Sequence, residues 1–153
     1  MIRIDRDDPS RSDVALLLSN HLADMHATSP PESVHALDHA RLATPEITFF
    51  SVRDDAVLLG CGALKELSAT DGEIKSMRTV PAARNQGVAS GLLVHMVEHA
   101  MKRGYQRLYL ETGTQDFFGA ARRLYRRHGF VECPPFADYR LDPNSVFMTR
   151  ALA

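Results

Sequence analysis

One hexapeptide, Arg84-Asn85-Gln86-Gly87-Val88-Ala89, restricts this chain more than any other stretch. Before it, residues 73–80 have the texture of a strand, stopped by Pro81, which has no amide to give to a ladder. After it, Val88, Leu92, Met96 and Ala100, with Leu93 and Val97 alongside, recur at helical spacing until Lys102, Arg103 and Gly104 close the segment. A turn in this position presents the orphan amides of a helix N-terminus, with the positive end of the helix dipole behind them. Gly87 and Ala89 let a ligand approach the backbone closely and Arg84 adds positive charge, so the turn suits a pyrophosphate. Taken alone, it is equally a helix entry that needed a glycine. Two other phosphate-binding patterns do not fit. No Gly-Lys-Ser or Gly-Lys-Thr is present, and Lys65 stands where a dinucleotide fingerprint begun at Gly60 and Gly62 requires a third glycine.

The remaining pattern places that turn inside an α/β fold. Ser12 and Asp13 offer a cap for a first helix, followed by Val14, Leu17, Leu18, Leu22 and Met25 on one face. Pro30 and Pro31 interrupt it, and a short second helix is expected over 34–42, carrying His35 and His39. Strands are expected over 47–52 and 57–67, turning at Asp54-Asp55, and a turn at Thr70-Asp71-Gly72 leads into 73–80. A strand over 107–112 precedes a helix with Phe117, Ala121, Leu124, Tyr125 and His128 on one side, stopped by Gly129. Two more strands finish the chain, the last over 146–149 after Asp142-Pro143-Asn144. Early hairpins and later strand-helix-strand units indicate a mixed, mostly antiparallel twisted sheet with helices on both faces.

The 153 residues suit a single domain spanning 1–153. No run is apolar enough for a membrane span, and the charged start, Met1-Ile2-Arg3-Ile4-Asp5-Arg6-Asp7-Asp8, lacks the core of a secretory signal, so a cytoplasmic protein is expected. Cys61 and Cys133 lack metal-site spacing and read as buried thiols. With 18 basic and 19 acidic residues there is no basic stripe for nucleic acid, which points to a small partner.

The strand ending Met77-Arg78-Thr79-Val80-Pro81, the Arg84-x-x-Gly87-x-Ala89 turn, and the later Leu124-Tyr125 and Gly129-Phe130 together resemble the Gcn5-related N-acetyltransferase (GNAT) family. The resemblance is good from about residue 46 to the end and holds only in outline before it. It implies a sheet splayed near its middle, where the strands over 73–80 and 107–112 part to admit a pantetheine arm. It also implies acetyl-CoA as co-substrate, its pyrophosphate held by Arg84, Asn85, Gln86, Gly87, Val88, Ala89 and Ser90, and its pantetheine by the strand at Met77, Arg78 and Thr79. Ala89 replaces the commoner glycine of the motif. The Asn that many members place early in the following helix is missing from Gln115-Asp116-Phe117-Phe118-Gly119-Ala120, which leaves that contact to backbone or to Gln115.

Acetyl transfer from a thioester to an amine needs a neutral amine, a polarised carbonyl and a proton for the departing thiolate. Glu73, whose spacing to Arg84 is similar to that of the base in the histone-acetylating branch of the family, is the expected base, directly or through water. It also reads as a solvated strand end after Asp71-Gly72. Tyr125 falls where the family's tyrosine faces the sulfur, and a phenol with an ordinary pKa of about 10 suits protonation of a thiolate. Helical spacing from Ala121 equally makes it a core residue. The expected reaction is direct attack by a primary amine of a small molecule or peptide, with strand amides near Met77 and Thr79 polarising the carbonyl.

His35, Glu66 and Tyr139, with Phe136, are candidate acceptor contacts. Two other functions remain open on these residues: an acyl-CoA sensor without turnover, and a zinc hydrolase using His95, Glu98 and His99, which spell His-x-x-Glu-His on the helix after the turn. The helical wheel puts that triplet at the solvent side, so no metal is expected. A homodimer is left open, since no residue pattern speaks for it.

Overall fold

A computed structural model describes residues 1–35 and 40–152. Among them, seven strands form one sheet: β1 (Ile2–Arg6), β2 (Ile47–Asp54), β3 (Val57–Glu66), β4 (Asp71–Thr79), β5 (Arg107–Gly113), β6 (Val131–Glu132) and β7 (Ser145–Ala151), in the order β1-β2-β3-β4-β5-β7-β6. Every pairing is antiparallel except that of β4 with β5. Three α-helices cover it: α1 (Ser12–Thr28), α2 (Val88–Lys102) and α3 (Gly119–Arg127).

The two-residue period of the strands divides the apolar side chains between two cores. Phe50, Val52 and Leu64 pack with Leu92, Leu93 and Met96 of α2 and with Leu124 and Tyr125 of α3. Ile47, Phe49, Cys61 and Ala63 point the other way, onto Val14, Leu17 and Leu18 of α1. Helices therefore lie on both faces, as the sequence pattern predicts, and β2 is buried from Ile47 to Val52, Thr48 and Ser51 included, because neither face is wet.

Three expectations change near the N-terminus. Residues 2–6 form β1, which pairs with β2 from Ile2↔Asp54 to Arg6↔Phe50. It escapes a periodicity search because it is an edge strand with mostly exposed side chains, of which Ile4 packs on the core. The cap of α1 is Arg11, without a side-chain hydrogen bond. Asp13 is drawn instead to Arg53, whose Nη1 donates to it at 2.6 Å while the same guanidinium also donates to Asp7. The helix expected over 34–42 is not formed at its start. Pro31–Ser33 and Arg41–Ala43 are single 3₁₀ turns, and Val34 is extended at φ −91° and ψ 113°. Pro31 fixes its own φ and biases Pro30 away from helix, and residues 36–39 of the expected helix lie outside the described residues. His39 lies outside the described residues.

Two irregularities at the middle of the sheet make the site. β4 and β5 pair only over Asp71–Ile74 against Arg107–Leu110 and then part, as the family resemblance implies. On its other edge β4 bulges: the register passes from Lys75↔Ala63 to Arg78↔Cys61, so Ser76 and Met77 together face Gly62. Ser76 takes a left-handed φ of 55°. A side chain at position 62 would place its Cβ 2.6 Å from the Met77 sulfur and 3.1 Å from the Leu92 and Met96 side chains, so the glycine lets those three side chains close over β3.

Candidate active site

The turn leaving β4 is built for an anion. Arg84 is extended, Asn85 takes φ 62°, and Gly87 caps α2 at φ 79°. Left-handed residues of this kind curl successive amides toward one point, and the first-turn amides of α2 have no partner inside the helix. No atom lies within 4 Å of where a Gly87 Cβ would stand. In front of the turn runs a channel of about 520 Å³ lined by Met77, Arg78, Thr79, Arg84, Asn85, Gly87, Val88, Ala89 and Ser90 from β4 and the turn, and by Phe117, Ala121 and Arg127 from the α3 side. The Ser90 hydroxyl meets His128 Nε2 at 2.7 Å and ties the first turn of α2 to the end of α3. A pyrophosphate fits this cradle of amides, glycine and arginines.

The channel runs into a smaller cavity of about 110 Å³ in the gap between β4 and β5. His21, Met25, Met77, Phe118, Ala121 and Tyr125 line both spaces and mark their junction. Tyr125 reaches it from α3, and burial, then the nearby Glu111, raises its phenol above the ordinary range. His21 reaches it from α1. Burial, reinforced by Arg78, lowers His21 to about 4, so it is neutral at physiological pH. Arg78 itself is held by Asp24.

On the far side lie the ionisable groups. Glu73 is buried, and its Oε2 accepts the Tyr139 hydroxyl at 2.6 Å and Lys75 Nζ at 3.1 Å. Lys75 also donates to the Tyr139 oxygen at 2.9 Å, closing a triangle. Burial, then Glu73, raises the Tyr139 phenol. The ring stands in an aromatic wall, 4.9 Å from both His35 and Phe136 and 5.5 Å from Phe147. Burial and Lys75 lower His35. Behind Tyr139 a third space of about 340 Å³ opens past Glu32, Lys65 and Arg140, sharing Glu73 and His35 with the inner cavity.

The residues singled out from the sequence divide accordingly. Glu73, Tyr125, His35, Tyr139 and most of the turn are brought together, whereas Gln86 is not among the residues lining the channel and donates back to the Ala82 carbonyl at 3.3 Å. Glu66 is not brought to the site: it accepts from Arg103 at 3.0 Å and from Tyr105 at 3.4 Å. Gln115 turns to Asn144 at 3.0 Å instead of to the channel. His95 and His99 rest edge-on against Phe50 at 5.3 and 5.2 Å, so they are half-buried packing groups, with Glu98 exposed. Among the described residues no three His, Cys, Asp or Glu side chains gather as metal ligands. Cys61 is buried, and burial pushes it up to about 12, but Cys133 is partly exposed.

Sequence reasoning missed Glu111, which lines the inner cavity from β5. Parity was the available signal. Glu73 pairs with Tyr109, and Glu111 lies two residues beyond on the same face of the sheet.

The profile of the Acetyltransferase (GNAT) family matches residues 15–130, and the chain belongs to that family. It is 53% identical over 95% of its length to the uncharacterised N-acetyltransferase YsnE of Bacillus subtilis (strain 168), covering 97% of that protein. The fold superposes with a TM-score of 0.85 and 28% identity on a candidate acyl-CoA N-acyltransferase of Klebsiella pneumoniae, covering 100% of this chain and 99% of the other. It is also similar to an aminoglycoside 6'-N-acetyltransferase solved with coenzyme A, with a TM-score of 0.72, 13% identity and coverage of 99% and 97%. The chain is an acetyltransferase by family. No helix among the described residues is long and apolar enough to cross a membrane.

Proposed function

We propose that this chain is an acetyl-CoA-dependent N-acetyltransferase that passes the acetyl group to a primary amine of a small molecule or peptide by direct attack. The observation that carries this reading is the meeting of two spaces at Tyr125: an anion-binding channel from the Arg84–Gly87 turn, and a cavity lined by Glu73 and Glu111 where the strands part. The turn binds the diphosphate, and the unpaired edge of β4 beyond Ile74 holds the pantetheine. Strand amides near Met77 and Thr79 polarise the thioester carbonyl. Glu73 orients the amine and takes a proton from it, and Tyr125 gives one to sulfur. His35 and Tyr139 form the wall against which the acceptor rests. The two unbridged cysteines suit a reducing compartment, in keeping with a cytoplasmic enzyme.

Calorimetric titration with acetyl-CoA, on the wild type and on Gly87→Glu, tests the reading. The new side chain projects into the channel, so micromolar binding in the wild type is expected to vanish in the variant. A wild type that does not bind acetyl-CoA would overturn the proposal, and binding with no turnover across an amine library would make the protein a sensor.

A further inference from the structure

We infer that Glu111 takes the first proton from an acceptor that arrives as an ammonium ion, so that the proton left to Glu73 is the second; this deepens the acetyltransferase reading and rests on it. Glu111 stands one residue beyond the last β4–β5 pair, Ile74↔Leu110, where the gap opens, and it lines the inner cavity with Glu73 and Tyr125. The two carboxyls keep different company. Glu73 Oε2 already receives Tyr139 at 2.6 Å and Lys75 at 3.1 Å, so that oxygen is engaged. Glu111 is in no ion pair among the described residues.

Lys75 and Glu73 face Glu111 from β4, Tyr125 from α3, Tyr139 and Asp142 from the loop before β7, and Ser145 from β7, with His35 on the same cavity wall. Burial raises its carboxyl to about 7, helped by Glu73 and Asp142 and opposed by Ser145 and Lys75. A carboxylate of this basicity shares a proton with water at neutral pH, which an ordinary glutamate does not.

An alkyl ammonium must lose two protons on its way to an amide. Glu111 accepts the first and later releases it to solvent. The freed lone pair forms the bond to the thioester carbon, the carbon–sulfur bond breaks with its electron pair on sulfur, and Tyr125 protonates that sulfur. The second nitrogen proton passes by Glu73 or water to restore Tyr125. An amide, a thiol and one solvent proton result.

The division of labour predicts a dependence on the protonation of the acceptor. Ethylamine is an ammonium ion at pH 7 and hydroxylamine is neutral, and both are small enough for the cavity. Turnover of each with acetyl-CoA, corrected for the uncatalysed reaction, is to be compared in the wild type, Glu111→Gln and Glu111→Asp. Glu111→Gln is expected to lose about 100-fold in kcat/KM with ethylamine but at most about fivefold with hydroxylamine, and Glu111→Asp to recover part of the ethylamine loss. Equal losses with the two acceptors would overturn the inference, as would a wild type that binds acetyl-CoA yet turns over neither. Calorimetry on the same proteins separates the failures: unchanged acetyl-CoA affinity in the variants ties any change in turnover to Glu111, whereas no affinity in the wild type would remove the acetyltransferase reading itself.

Discussion

Replacing Glu111 by Gln is expected to make the protein more stable at alkaline pH while leaving it little changed in acid. Burial raises the folded-state carboxyl from its ordinary 4.5 to about 7. The folded chain therefore holds its proton more tightly than the unfolded chain does. The stabilisation from that proton is complete below pH 4.5 and is lost as pH rises through about 7, above which a charge must be kept in the cavity. At about 1.4 kcal/mol for each pKa unit, the full loss is about 3.5 kcal/mol. Gln cannot ionise and avoids it. Urea unfolding of both proteins at pH 5 and pH 8 gives the difference of differences, which cancels whatever the amide does to packing. A swing of about 2.5 kcal/mol in favour of Glu111→Gln between the two pH values is expected, because a little of the loss has already occurred at pH 5. Parallel curves would refute the buried-carboxyl argument and show that water reaches Glu111 freely.

Tyr125→Phe keeps the ring in the core but removes the phenol, and is expected to lower kcat about 100-fold without changing acetyl-CoA affinity, read by steady-state kinetics and calorimetry. Glu73→Gln leaves the 8% exposed Lys75 side chain without its anion and is expected to cost about 3 kcal/mol or more in urea unfolding, along with activity. Gly62→Ala forces a methyl against the Met77 sulfur and is expected to destabilise by about 1–3 kcal/mol in urea unfolding and to weaken acetyl-CoA binding in calorimetry, since the Met77 side chain, which lines the channel, must move.

The sheet from residue 47 onward, α2, α3 and the turn at Gly87 that opens α2 were legible because each rests on local rules: alternation, helical spacing, and glycine at a helix entry. In the N-terminal third α1 was legible too, found at Ser12–Thr28, but its cap and the strand before it were not, for physical reasons. β1 is an edge strand whose side chains mostly meet water, so no apolar pattern marks it. Asp13 was available as a cap only until Arg53, distant in sequence, claimed it. Glu73, Tyr125 and Tyr139 could be named from their sequence positions, but nothing local says that Tyr139 and Lys75 converge on one oxygen of Glu73, or that Glu111 shares their cavity. Those facts depend on register, on where β4 and β5 cease to pair, and on the path of the loop before β7. Gly60 and Gly62 show the reverse case. Read as nucleotide chemistry they fail, and their use is steric, since a Cβ at Gly60 would stand 2.9 Å from the Arg78 carbonyl oxygen.

The short ladder between β4 and β5 makes the sheet two plates, one of four strands and one of three, joined along a seam of four residue pairs, Asp71–Ile74 with Arg107–Leu110. A ligand lying in the open part of the seam touches both plates and stiffens the joint between them. Slowed amide exchange along the free edge of β4, and a melting temperature that climbs with ligand concentration, would be the mechanical signature of that joint closing.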